Sequence, residues 1–174
     1  MALSSADIRT AFDALSNEFE RAGERAEFVI VGGAALVMLY DARETTKDVD
    51  AVFLTPEASK IRSAAERVAQ SLDLPSDWLN DGAKGYMVQL TVGEVLYESP
   101  FLFVRAASLP QLLAMKLSAW RDSVDREDAR LLLSRMSGSA DDVWRSVKPF
   151  LFEHQLNKAS YAFEDLWETL HGPA

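Results

Sequence analysis

The chain has 174 residues, 48% of them hydrophobic, which is enough for one compact domain with a substantial core. Its formal net charge of −9 disfavours a broad nucleic-acid surface, although RNA or a nucleotide accompanied by a divalent cation stays compatible with it. Cysteine is absent, and no signal peptide, membrane-spanning run or DNA-binding motif is recognisable, so we expect a soluble cytoplasmic protein without thiolate metal sites.

Helical and β-like patterns alternate through the first half of the chain. Ile8, Phe12, Leu15 and Phe19 recur at helical spacing and predict a helix over residues 5–22. The apolar run EFVIV, closed by Gly32-Gly33, predicts a buried strand. In chain order there follow a helix over AALVMLYDA, a strand over DVDAVFL, a helix beginning near TPE and a turn-rich loop, LPSDWLNDGAKG, with an exposed tryptophan.

The second half changes from β-like to helical. Three β-like runs, YMVQLTV, EVLYE and FLFVR, are separated by Gly93 and by Ser99-Pro100. Four helices are predicted after them, the first of which opens at Ser108. The order of elements predicts an α/β (α+β) fold, with a small mixed sheet flanked by helices and a helical C-terminal third. We expect residues 1–107 to form the α/β core and residues 108–174 to pack on it within one domain.

The main candidates for metal and phosphate binding lie between residues 28 and 54. Asp48 and Asp50 are two apart on a predicted strand, so their carboxylates leave the same face and repel each other unless a cation lies between them. Mg²⁺ (or Mn²⁺) suits two such oxygen ligands and bridges readily to phosphates. Gly32 and Gly33 lie at a strand-to-helix turn, where backbone can approach a phosphate closely.

Together these features predict a site for a nucleoside triphosphate. Arg43, Thr46 and Lys47 immediately precede the aspartates and are candidates for contacting its phosphates or ribose.

The segment VGGAALVMLYDARETTKDVD resembles the signature of minimal nucleotidyltransferases of the DNA polymerase β superfamily, in which a Gly-Gly or Gly-Ser is followed after a helix by Asp-x-Asp. Its beginning and end look like the AbiEii-type branch, common among toxin–antitoxin and phage-defence proteins. LPQLLAMKLSAWRDSVDREDARLLL resembles the downstream block of that branch, a helical lysine before an Asp-x-x-Asp. The resemblance covers about residues 28–133.

The resemblance implies a role for each matched residue. Asp48 and Asp50 would hold the metal, Gly32 and Gly33 would cradle the triphosphate, and Lys116 would neutralise phosphate charge. Asp125 and Asp128 would be catalytic or would organise the helices around Lys116; alternatively, they form the solvated first turn of a helix. The loop DWLNDGAKGYM adds four candidates for the rim of the site: Trp78, Asn80, Asp81 and Lys84.

One part of the superfamily pattern is not evident. Fully active members usually carry a third carboxylate on a later strand, where YMVQLTV offers Gln89. Glu94, Glu98 or the Asp125/Asp128 pair are the alternatives. The resemblance implies a transferase that moves a nucleoside monophosphate to tRNA or protein, working with a partner toxin or antitoxin. The rival interpretation is a catalytically degenerate module that binds nucleotide or a partner protein without turnover.

Overall fold

The computed structural model describes residues 2–40 and 44–172, which form two compact units. Unit 1 is the chain up to Gly85 together with Val92–Ala107, and unit 2 is Tyr86–Thr91 together with the chain from Ser108 onward. Within the described residues there are seven α-helices, one five-stranded mixed sheet and one two-stranded sheet. The prediction of a small mixed sheet flanked by helices is confirmed.

Unit 1 contains all seven strands and three helices of the described chain. The strands are β1 (Leu3–Ser4), β2 (Ala26–Val31), β3 (Thr45–Thr46), β4 (Val49–Thr55), β5 (Leu79–Asn80), β6 (Val95–Glu98) and β7 (Leu102–Ala106). The helices are α1 (Ser5–Ala22), α2 (Gly33–Tyr40) and α3 (Ala58–Leu72). Ser4 and Asp7 form a capping box that fixes the start of α1, and Gly23 ends that helix in the left-handed conformation.

The main sheet has the strand order β5-β4-β2-β7-β6. β4 runs antiparallel to β2 and parallel to β5, whereas β7 is parallel to β2 and antiparallel to β6. The two-stranded sheet joins β1 to β3, so the residues before α1 pair with the segment that leads to Asp48. This order places the predicted Asp-x-Asp strand between β2 and β5.

Trp78 is in the core of unit 1 and is not the exposed residue that its turn-rich surroundings predict. Its side chain is fully buried, its ring lies 6.3 Å from that of Phe12, and its Nε1–H donates to the carbonyl of Ala65 in α3 at 2.9 Å. Phe12 also contacts Phe28 of β2, with ring centroids 5.7 Å apart. The tryptophan therefore fixes the start of β5 against α1 and α3.

Unit 2 consists mainly of four helices, α4 (Leu109–Ala119), α5 (Ser123–Ser134), α6 (Ala140–Val147) and α7 (Leu156–His171). α4 packs against each of the other three. Its buried side chains include Leu112, Leu113 and Leu117. Phe163 of α7 contacts Trp144 of α6 and Trp167 of its own helix, with ring centroids 5.3 and 5.7 Å away.

The predicted strand over YMVQLTV is not formed. After a short 3₁₀ helix at Gly82–Tyr86, residues 87–94 run without regular structure, and the strands of this region are β6 and β7. Gln111, which is 1% exposed, holds the segment instead: its Oε1 accepts from the backbone N–H and the hydroxyl of Thr91, both at 2.8 Å, and its Nε2 donates to the carbonyl of Gln89 at 2.8 Å. Two backbone groups of the segment, the N–H of Thr91 and the carbonyl of Gln89, are thereby paired with a side chain and not with a neighbouring strand.

No helix in residues 2–40 and 44–172 is both long and apolar enough to cross a membrane.

The anchoring role of Gln111 predicts the effect of removing its amide. Gln111→Met keeps the volume but leaves the half-buried N–H of Thr91 without its acceptor, so we expect the free energy of unfolding to fall by about 1–2 kcal/mol. Amide hydrogen exchange at residues 87–91 should accelerate. Gln70→Met, at an exposed position of α3, is the matched control and should leave both quantities unchanged. Equal exchange in the two variants would show that Gln111 does not hold this segment.

Candidate functional site

The antiparallel pairing of β2 with β4 brings together the two halves of the predicted site. Val31, the last residue of β2, is the register partner of Asp50, near the beginning of β4. Gly32 follows Val31 directly, and a Cβ built on Gly32 would lie 3.5 Å from Oδ2 of Asp50. The glycine turn and the second aspartate are therefore in direct contact range.

Gly32 has a backbone conformation that glycine adopts more readily than other residues. Its φ is +69°, in the left-handed region, and Gly33 begins α2 immediately afterwards. The Asp50 carboxylate thus lies close to the N-terminal end of a helix, where backbone N–H groups and the helix dipole favour negative charge. A phosphate oxygen near the same end would meet the same favourable field.

Asp48 precedes β4 and is half-buried. Burial raises the pKa of its carboxyl group, and the negative charge of Asp50 raises it further; Lys47 opposes the shift and Asp77 adds to it. Within the described residues, no salt bridge joins either Asp48 or Asp50 to a basic side chain. The protein therefore holds two neighbouring carboxylates whose mutual repulsion favours an added positive charge.

The residues leading into Asp48 have separate structural roles. Thr46 is buried in β3, and its hydroxyl donates to the backbone carbonyl of Asp48 at 3.2 Å, which orients the approach to the aspartate. Lys47 is exposed beside Asp48. Arg43 lies outside the described residues, and Lys84 is exposed in the 3₁₀ helix after β5.

β5 adds a further residue beside the pair. Asn80 is the register partner of Asp50 across the parallel β4–β5 pairing. The next residue, Asp81, is held by Arg62 of α3 through two hydrogen bonds of 3.1 and 2.6 Å, which lower the pKa of its carboxyl group. Of the predicted rim residues, the structure therefore places Asn80 against the aspartate pair, whereas Trp78 is in the core.

Lys116 forms the centre of a buried ion cluster in unit 2. Its ammonium lies 3.1 Å from Oδ1 of Asp125 and 2.7 Å from Oδ2 of Asp128, and all three residues are buried. The backbone N–H and guanidinium of Arg121 also donate to Asp125. The cluster connects α4 to α5, and the expectation of a solvated first helical turn for these two acids is wrong. The predicted contact of Lys116 with phosphate stays a prediction.

Opposing effects act on Asp125. Burial alone would raise the pKa of its carboxyl group, but hydrogen bonds from Arg121 and the ammonium of Lys116 outweigh it and lower the pKa from 3.8 to about 2. Asp122 caps α5 by accepting from the backbone N–H of Asp125 at 3.0 Å. The start of α5 is therefore fixed by charge pairing and capping together.

The chemistry of the donor set at Asp48 and Asp50 fits a hard divalent cation. The two neighbouring carboxylates would supply oxygen ligands and balance its charge. No group of three or more histidine, aspartate or glutamate side chains suited to a metal occurs in residues 2–40 and 44–172. The set that this part of the chain offers is therefore one pair of acids with Asn80 at its side.

A family model described as a nucleotidyltransferase of unknown function, DUF6036, matches residues 8–160. The chain belongs to this family. No curated protein and no solved structure gave a match. The matched region includes Gly32, Gly33 and the aspartate pair as well as the Lys116 cluster, so both sets of predicted residues lie within the family's sequence.

Three residues that sequence patterns did not single out contribute to this organisation. Asp77 acts on Asp48 through its charge, Arg121 completes the cluster around Asp125, and Gln111 anchors residues 87–91. Arg121 precedes Asp122, the cap of α5, and lies four residues before Asp125; this i,i+4 spacing of opposite charges is a sequence signal that could have identified it. Nothing local in the sequence marks the other two.

Because Gly32 is in the left-handed conformation, a residue with a Cβ at this position should lower the stability of the protein measurably. Gly32→Ala should lower the free energy of unfolding by about 1–2 kcal/mol, because a Cβ is disfavoured at this φ. Its Cβ would make only an ordinary contact with Asp50, so the cost is conformational. Gly85→Ala, where φ is not left-handed and the space is open, is the control and should change stability by less than about 0.5 kcal/mol in chemical denaturation. Equal losses of stability in the two variants would show that the left-handed conformation at position 32 does not require glycine.

The low pKa of Asp125 predicts a pH-dependent contribution to stability. Because the folded pKa lies below the ordinary value, the contribution is complete above about pH 4 and is lost as the pH falls toward 2. We expect Asp125→Asn to lower the unfolding free energy by about 2 kcal/mol at pH 7 and by much less at pH 2. Urea denaturation across this range measures the difference. Asp165→Asn, at an exposed site on α7, should show no such convergence with the wild type.

Proposed function

We propose that the protein is a metal-dependent nucleotidyltransferase that moves a nucleoside monophosphate from a nucleoside triphosphate to a hydroxyl of a macromolecule. The observation that carries the proposal is the closeness of the glycine turn at Gly32 to Asp50, the second aspartate of the pair. Membership in a nucleotidyltransferase family supports the reaction class. Both halves of the predicted site lie at adjoining strand ends, as a metal-bound triphosphate requires.

Each part of the site has a distinct task in this proposal. Asp48 and Asp50 would hold Mg²⁺ or Mn²⁺, which supplies positive charge to the triphosphate when bound. Gly32 and Gly33 would admit phosphate oxygens to the N-terminal end of α2. The residues thereby orient the triphosphate and offset its charge, so that rate enhancement comes mainly from positioning and electrostatics.

The bond changes follow from this orientation. The acceptor oxygen forms a bond to the α-phosphorus, and the bond from that phosphorus to the oxygen bridging to the β-phosphate breaks. Pyrophosphate leaves, and the proton of the acceptor hydroxyl is released. The acceptor we propose is tRNA or a protein side chain.

The biological setting we propose is a toxin–antitoxin or phage-defence system in the cytoplasm, with the protein as a toxin or as a modifying antitoxin. Its support is the resemblance of the Gly-Gly and Asp-x-Asp segment, and of the segment containing Lys116, to AbiEii-type proteins. A partner toxin or antitoxin protein belongs to this setting.

A second candidate function is favoured by a specific observation. The residue beside Asp50 on the neighbouring strand is Asn80, a neutral side chain, and no cluster of three acids occurs in the part of the chain that the structure describes. Such a site suits a module that binds a metal–nucleotide complex without transferring anything. Binding and transfer must therefore be measured separately.

The aspartate pair can be tested with α-³²P-labelled nucleoside triphosphates, each supplied with Mg²⁺ and either bulk tRNA or no added acceptor. We expect label transfer by the wild type, and a loss of at least about 100-fold in Asp48→Asn and Asp50→Asn, because each removes a ligand charge. Asp73→Asn is the matched control: Asp73 ends α3 in the left-handed conformation, which asparagine tolerates.

The outcomes separate the candidates. Nucleotide binding that depends on Asp50 without transfer to any acceptor supports the binding module. Failure of every labelled nucleotide to bind the wild type contradicts both.

A further inference from the structure

The position beside the Asp48/Asp50 pair is occupied by Asn80. Asn80 and Asp50 are register partners in neighbouring parallel strands, so their side chains leave the same face of the sheet, with strands about 4.8 Å apart. Both residues are half-buried. Asn80 is therefore the side chain of β5 that stands next to the carboxylate pair.

The orientation of the Asn80 amide is set by a local hydrogen bond. Its Oδ1 accepts from the backbone N–H of Gly82 at 3.1 Å, and a Cβ on Gly82 would lie only 3.2 Å from that oxygen. Because a backbone N–H must donate to an oxygen, the bond identifies which end of the amide is the oxygen. The N–H of Gly82 thus holds Oδ1 at the turn, and the other polar atom of the amide, Nδ2, can donate to an oxygen but cannot bind a cation.

The nearest acid in the sequence does not take the place of Asn80. Side chains alternate between faces along a strand, and Asp81 is bound to Arg62 of α3 by two hydrogen bonds. The carboxylate of Asp81 is thus drawn toward the helix that packs with Trp78. Within residues 2–40 and 44–172, no group of three acidic or histidine side chains that could hold a metal ion occurs.

We propose that Asn80 stands where a third carboxylate ligand would otherwise lie, and so limits the site to two carboxylate ligands. As a consequence, the protein takes up a divalent cation only together with a triphosphate. This inference rests on the proposed function. Two carboxylates would balance the charge of one divalent cation but would leave most of its oxygen positions to triphosphate oxygens and water. Nδ2 of Asn80 donates to one of those oxygens and so positions the triphosphate.

The charge at position 80 can be changed without disturbing the turn that the N–H of Gly82 closes. In Asn80→Asp one carboxylate oxygen can still accept from the N–H of Gly82, while the other replaces Nδ2 with a cation ligand. The variant should therefore fold as the wild type does. Val92→Asp adds the same charge at an exposed position of unit 1 and is the control for a general electrostatic effect.

The test is Mn²⁺ binding, followed by electron paramagnetic resonance, with the metal alone and with α,β-methylene analogues of the four common nucleoside triphosphates. For Mn²⁺ alone, we expect Asn80→Asp to bind at least 10-fold more tightly than the wild type, and Val92→Asp to match the wild type. Addition of an accepted analogue should raise the affinity of the wild type for Mn²⁺ at least 10-fold. Asn80→Ala should reduce this enhancement, because the donor to the triphosphate is lost.

Two results would overturn the inference: tight Mn²⁺ binding by the wild type without any nucleotide, or equal Mn²⁺ affinities of Asn80→Asp and Val92→Asp. The proposed function fails in a different way. It is contradicted if no analogue changes Mn²⁺ binding by the wild type and Asp50→Asn binds Mn²⁺ as the wild type does. The comparison of Asn80→Asp with Val92→Asp uses no nucleotide, so it tests the position of Asn80 even in that case.

Discussion

The antiparallel pairing of β2 with β4 is the constraint on which the candidate site depends. The chain leaves β2 at Gly32, forms the two turns of α2 and returns as β4 in the opposite direction. The last residue of β2 therefore faces the beginning of β4, and the glycine turn meets the Asp50 carboxylate. A parallel return would have placed these residues at opposite ends of the sheet. The site is thus a consequence of strand direction as much as of residue type.

The core of unit 1 extends this constraint to β5. Trp78 is fixed between α1 and α3 by its indole hydrogen bond to Ala65 and its contact with Phe12, and two residues later the chain reaches Asn80. The backbone N–H of Val49 donates to the carbonyl of Trp78 at 2.7 Å, which sets the register of the β4–β5 pairing. A core residue therefore determines which side chain stands beside Asp50. Packing and site composition are coupled through one short strand.

The sequence predicted most elements correctly where the signal is local. The helix at Ser5–Ala22, the strand after it and the helices of unit 2 follow from hydrophobic spacing and capping residues. The prediction of a strand over YMVQLTV was wrong because the β-like composition of the segment does not reveal its partner. Gln111, 20 residues from Thr91, accepts from the backbone N–H of Thr91 in place of a neighbouring strand. Trp78 was assigned to the surface for a related reason: its neighbours are turn residues, whereas its burial depends on helices distant in sequence.

The same limit applies to the site. The proximity of Gly32 to Asp50 could be anticipated from a motif, because the motif spans one strand–helix–strand unit. The identity of the side chain beside Asp50 on the neighbouring strand could not be anticipated, because it depends on the register of β5, a strand of two residues. The superfamily pattern points to the position of Gln89, which lies in no strand, whereas the register of β5 places Asn80 beside Asp50.

The two acidic pairs of this protein differ in how their negative charge is compensated. Asp125 and Asp128 share the ammonium of Lys116, and the pKa of Asp125 falls to about 2 because the protein itself stabilises its ionised form. Asp48 and Asp50 are also close together, but burial and mutual repulsion raise the pKa of Asp48. Folding alone gains nothing from such a pair. Carboxylates held together at a cost in charge repulsion recover that cost when a cation binds, which is the role proposed for Asp48 and Asp50.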